Sequence, residues 1–157
     1  RESRLAAIQA VGMVRASSSI KKLEKIATSS DYQDERLAAT MSLGFIGNSS
    51  SIPTLNKLLD DHEANIRWDA AIALAKMGEK SSIPIIENLM DRDYLMTFPE
   101  LDYNEITKVI LIAIETSSLV ADSKFEPKLT KLASSDENLK IRDAAIKTLK
   151  SNYDKVI

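Results

Sequence analysis

Apolar residues return along this chain at helical spacing in nine separate stretches, with polar residues between them. In one kind of stretch they recur three and four positions apart: Ile20, Leu23, Ile26 and Ala27; Ile52, Leu55, Leu58 and Leu59; Ile83, Ile86, Leu89 and Met90. That is the one-sided stripe of an amphipathic helix. The other kind is rich in alanine, as at Ala70, Ala71, Ala73 and Ala75. Such side chains keep helix propensity high and let neighbouring helices approach closely. The pattern predicts helices over 3–14, 19–29, 35–46, 51–60, 66–77, 82–91, 105–117, 125–134 and 139–151. Pro53, Pro84 and Pro127 fall at one place in the first kind, where the first turn has no acceptor for the missing N–H. Ser50, Ser51, Ser81 and Ser82 just before two of them are expected to cap. Gly47 and Gly78 end two alanine-rich helices, where a left-handed residue is commonly needed.

These stretches are also copies of one another. SRLAAIQAVGMV from Ser3, ERLAATMSLGFI from Glu35 and IRWDAAIALAKM from Ile66 superpose without a gap, so Arg4, Arg36 and Arg67 stand 32 and then 31 positions apart. A fixed period in this range marks a stacked repeat array instead of one globular core. The fourth unit is irregular: Thr107 takes the arginine position, and an insertion near 94–104 precedes it. Insertions in repeat proteins map to inter-helix loops, so this one is expected to protrude or to fold back over the ridge. The array opens in mid-unit at Arg1, without an initiator methionine, which leads us to expect a fragment of a longer chain.

Composition changes this picture little. At 157 residues, 44% hydrophobic and 28% charged, the chain is that of an ordinary soluble protein. A formal net charge of −2 disfavours a nucleic-acid partner. The absence of cysteine removes disulfides and thiol chemistry. No apolar run reaches the roughly 18 residues of a membrane span, and a cytoplasmic location is the default expectation.

The pairing of a Pro-type helix with IRWDAAIALAKMG through an acidic turn resembles the HEAT-repeat superfamily, and in its short period the compact HEAT-like repeats of bacteria and phycobilin lyases. The resemblance covers essentially the whole chain. It implies an all-α, right-handed α-solenoid of stacked antiparallel helix pairs, about nine helices in a single domain over 1–157. It also implies a ladder in which an acidic residue ending one helix meets an arginine opening the next. Asp31 with Arg36, Asp61 with Arg67 and Asp136 with Arg142 match that pattern.

Candidates for chemistry are few. His62-Glu63 is similar to the iron-binding pairs of HEAT-repeat deoxyhypusine hydroxylases, but His62 is the single histidine and a metal centre needs several convergent ligands. An exposed turn is the better reading. Trp68 beside Asp69 resembles the acidic and aromatic residues of HEAT-like DNA glycosylases, yet the residues sharing that face are apolar and would neutralise phosphate poorly. No nucleophile set or phosphate loop accompanies them, so no enzyme activity, cofactor or metal is expected.

What remains is a surface. If Ile66, Ala70, Ala73, Leu74 and Met77 pack inward, the row at 68, 72 and 76 faces outward, the inner lining of the superhelix in HEAT-like proteins. The equivalent rows hold Leu37, Met41 and Phe45, then Trp68, Ile72 and Lys76, then Lys108, Ile112 and Thr116. Apolar residues there would form a strip of the kind that marks a binding site. The expected function is a non-enzymatic scaffold that binds a partner peptide or protein along this groove. Tyr94, Phe98 and Tyr103 of the insertion are further contact candidates. The rival is a lyase-like helper holding an apolar small molecule or pigment in the same groove.

Overall fold

The computed structural model describes residues 2–14 and 17–154. Arg1, on which the expectation of a longer chain partly rested, lies outside them. The architecture is all-α. Nine of its helices answer the predicted stretches: α1 Glu2–Met13, α2 Ile20–Ser29, α3 Gln33–Ile46, α4 Ile52–Leu58, α5 Ala64–Lys76, α6 Ile83–Leu89, α8 Tyr103–Val120, α9 Glu126–Ser135 and α10 Leu139–Tyr153. A tenth among the described residues, the one-turn α7 Arg92–Leu95, was not expected.

The helix starts differ from expectation in an instructive way. Pro53 and Pro127 do occupy the first turns of α4 and α9. The serines before α4 and α6, however, do not cap. Ser49–Ser51 forms a 3-10 turn, as does Lys80–Ser82. Asn48 supplies the cap ahead of the first, accepting from the Ser50 N–H, and Ser82 Oγ donates back to the Glu79 carbonyl at 2.7 Å. Short hydroxyls bond their own turn as readily as a helix end. Gly47 and Gly78 take the left-handed conformation expected of them, with φ of 64° and 76°.

Two compact units divide the chain, one up to Ser82 and one from Ile83. In unit 1, α3 packs against α1, α2 and α5, and α4 packs against α5. Leu23, Leu43, Leu55, Ile66 and Leu74 fill its core, where the apolar faces of both helix kinds meet. Small residues set the spacing. A Cβ at Gly12 of α1 would lie 2.7 Å from the Ser42 Cα of α3, and Ser42 Oγ donates to the Ile8 carbonyl across the same contact at 2.9 Å. Gly12→Ala is therefore expected to cost about 1–3 kcal/mol as an overpacked contact. An unchanged urea midpoint would mean that α1 does not seat on α3 in this way.

In unit 2, α10 packs on α8 and α9, and α6 packs on α8. Ile86, Leu89, Ile110, Phe125, Leu129 and Ile141 are fully enclosed. Part of the insertion packs into this core, while Met96, Thr97, Pro99 and Glu100 are exposed. Asp91 caps α7 by accepting from the Tyr94 N–H, and Leu95 is fully buried. Tyr94 and Phe98 stack edge-to-face with centroids 5.3 Å apart. The stretch ends inside α8, where Asp102 and Glu105 form a capping box.

The charged ladder is present with a different register. Arg36 pairs with Asp61 of the following turn, both side chains being about one-tenth exposed, while Asp31 is exposed. Arg67 also reaches Asp61, through the backbone carbonyl at 2.8 Å. Asp61 thus receives two arginines, Arg36 from the preceding helix pair on its carboxylate and Arg67 from its own on its carbonyl. Burial alone would raise the Asp61 carboxyl, but hydrogen bonds from Arg36 and the Glu63 N–H, with the Arg36 charge, hold it below the ordinary range.

Unit 2 keeps the ladder by substitution. Thr107 stands where the arginine would be, and its hydroxyl is buried without a hydrogen-bond partner among the described residues. Arg92 from α7 takes over, donating through Nε and Nη2 to the two oxygens of Asp136, each at 3.0 Å. Its guanidinium also lies 5.2 Å from the Tyr103 ring, whose hydroxyl accepts from Asn138. The predicted partner, Arg142, adds only charge to Asp136.

Candidate functional site

The row expected to face outward does so on α3. Met41 and Phe45, four residues apart on one helix face, are 45% and 48% exposed, high for side chains of that size. Ile72 and Trp68 on α5 are half-buried, and Lys76 is exposed. Leu37, at the other end of the α3 row, is half-buried and lines a separate depression with Asp31, Tyr32, Asp34 and Asn65. In unit 2 the row on α8 shows Lys108 and Ile112, the latter 41% exposed. Thr116 turns inward instead, buried and bonded to the Ile112 carbonyl at 2.9 Å, because α8 runs longer and its last turns pack into the core. Tyr103 is exposed, whereas Tyr94 and Phe98 are partly taken up by their mutual contact.

Between α3 and α5 the row is indented. A cleft of about 80 Å³ is lined by Met41, Gly44, Phe45, Asp69, Ile72, Ala73 and Lys76. Its floor is shaped by a close helix approach: a Cβ on Gly44 would sit 3.0 Å from the Ala73 Cβ. The walls are apolar, and Lys76 Nζ lies 5.9 Å above the Phe45 ring centroid. Asp69 is the exception in this lining. Among the described residues its half-buried carboxylate has neither a hydrogen bond nor an ion pair. Burial pushes the carboxyl up to about 6, with the charge of Lys76 offsetting part of the effect.

The sequence carries a signal at Asp69 that the apolar row does not include. Aligned on the repeat, position 69 corresponds to Ala6, Ala38, Val109 and Ala144. Four units place an apolar residue where one places an acid. The cleft itself was not legible, since it depends on how closely Gly44 lets α3 approach α5.

His62 is exposed, 3.8 Å from Asp61 Oδ2 and 3.5 Å from Glu63 Oε1. Among the described residues no group of three histidine or carboxylate side chains is placed to hold a metal ion, and no helix is long and apolar enough to cross a membrane.

Paired helices repeated at a short period, alternately amphipathic and alanine-rich, with arginine–aspartate pairs at the turns, define an α-helical repeat architecture. Residues 20–95 match the family described as HEAT repeats. The fold as a whole is similar to a chain in the structure of the complex of CpcE and CpcF of phycocyanin lyase from Nostoc sp. PCC7120, with a TM-score of 0.73 over 97% of this chain at 17% identity. This chain spans 60% of the length of that one. At such identity the likeness is one of fold. No curated protein matches the chain in sequence.

Proposed function

We propose that the chain is a non-enzymatic protein-binding module whose contact surface is the outward row of the alanine-rich helices. The observation that carries this is the pair Met41 and Phe45, both about half exposed, beside Ile72 and Trp68 of α5. Large apolar side chains gathered on one face, where water gains nothing from them, are the usual mark of an interface. Lys76 and Leu37 border the patch, and in unit 2 Lys108, Ile112 and Tyr103 offer contacts of the same type. The fold's likeness to a chain from a two-protein complex suits a protein partner.

A second reading, a helper that holds an apolar pigment, draws support from the phycocyanin lyase likeness. The α3–α5 cleft argues against it as the holding place, since about 80 Å³ is far below the roughly 300 Å³ and more of ordinary ligand pockets. It suits one side chain of a partner.

The test is site-specific photocrosslinking in the cell of origin, with benzoylphenylalanine at Phe45 and, as control, at the exposed Lys57 of α4. A defined protein adduct is expected from position 45 and not from 57, and Phe45→Ala should then weaken the purified pair by about 2 kcal/mol. Identical adducts from both positions would overturn the proposal, and a coloured species copurifying with the chain would favour the second reading.

A further inference from the structure

Asp69 is an expense the fold has no use for. Three of the four corresponding repeat positions carry alanine and one carries valine, and each serves a helix pair without an acid. A carboxylate half-buried among Met41, Phe45 and Ile72 loses hydration and finds no donor in return among the described residues. Alanine there would remove that penalty. An acid kept where it destabilises the fold makes sense if something outside the chain supplies the missing donor.

The surroundings specify what that would be. The donor has to enter a cleft about the size of one side-chain head group, pass apolar walls, and arrive beside an aromatic face. Charge points the same way: this cleft and the separate depression at the other end of the α3 row hold Asp69, and Asp31 with Asp34, against one lining cation, Lys76. Lys76 already sketches the bound state, with its ammonium above the Phe45 ring on the side of Asp69. Being exposed and flexible, it serves Asp69 through space without bonding it. A guanidinium fits better than an ammonium, because its planar face lies flat on Phe45 while its edge donates in parallel to both carboxylate oxygens.

Resting on the protein-binding reading above, we infer that the α3–α5 cleft is a receptor for an arginine side chain of the partner protein, flanked by apolar residues, with Asp69 as its counter-ion, Phe45 as its stacking surface and Lys76 as the placeholder it displaces. The alkyl stem of the arginine would run along Met41 and Ile72, and the neighbouring apolar side chains of the partner would cover the rest of the row.

The experiment uses the full 157-residue chain, isotope-labelled, and follows amide shifts of α3 and α5 during titration with acetyl-Leu-Arg-Leu-amide and with the same peptide carrying citrulline, which keeps the shape and removes the charge. The arginine peptide is expected to shift residues around 45 and 69 and to bind about tenfold or more tightly than the citrulline peptide, the scale of a charge-assisted bidentate pair. Asp69→Asn should erase the difference between the peptides. Lys76→Ala, at an exposed position that leaves the fold alone, should tighten the arginine peptide about twofold to fivefold by removing the competitor over Phe45.

Equal binding of the two peptides would overturn the arginine receptor while leaving the apolar row intact as a contact surface. Failure of both to shift the cleft residues at millimolar concentration would overturn it too, and the crosslinking at Phe45, which does not involve Asp69, then judges the wider reading separately. If acetyl-arginine methyl ester alone bound as tightly as the tripeptide, the occupant would be a small cation and not a protein segment, again contrary to the inference.

Discussion

Replacing Arg92 with methionine is expected to destabilise unit 2 by about 3–5 kcal/mol at pH 7, measured by urea denaturation followed by circular dichroism. Methionine retains the apolar stem but leaves Asp136, whose side chain is 3% exposed, as a buried charge without its bidentate donor. That is worse than never having had the pair. The loss carries a pH signature. Burial alone would raise the Asp136 carboxyl, but hydrogen bonds from Arg92 and the Asn138 N–H, with the charges of Arg92 and Arg142, hold it below its ordinary 3.8. A carboxylate with a depressed folded value contributes stability that is complete above its unfolded value and vanishes as pH falls through the folded one. The gap between native chain and variant should therefore be full at pH 7 and close on acidification below about pH 4. A gap that stays constant down to pH 2 would mean that Arg92 acts through packing alone. Since Thr107 occupies the arginine position of the repeat, Thr107→Arg in the Arg92→Met background is expected to restore part of the loss. No recovery would show that position 107 does not face the Asp136 turn.

Leu74→Ala should cost about 2–5 kcal/mol, the transfer of three buried carbon groups being compounded by the cavity they leave. Leu74 is fully buried in the core of unit 1, and α5 there is pressed between α3 and α4, so little relaxation is open to it. Lys76→Ala, two residues on but exposed, should change stability by no more than about 0.5 kcal/mol. A loss under about 1 kcal/mol at Leu74 would place the wrong face of α5 inside.

Helices and their faces were legible because the cause is local. A stripe at positions such as Ile52, Leu55 and Leu58 can be buried by a helix and by little else, and three copies in register leave no freedom in how neighbours stack. Gly47 and Gly78 announced the helix ends for an equally local reason, the cost of a Cβ at positive φ. The sequence by itself therefore determined the all-α repeat architecture, its helix boundaries to within a few residues, and the side of α3 that carries Met41 and Phe45.

The tertiary structure decided what depends on distance between segments. The insertion reads as a loop by its place between repeat helices, yet Leu95 is fully buried, and Arg92 just before it donates to Asp136 from a distance in sequence that no repeat pattern records. The pattern assigns Arg36 to Asp31, the acid just before it, and the stacking distance selects Asp61 instead. The cleft at Asp69 likewise exists because Gly44 meets Ala73 at contact distance, bringing an acid on one helix under the apolar side chains of another. Periodicity records which face of a helix is buried; how near its neighbour comes, and which charge is thereby left without a partner, is fixed only when the helices pack.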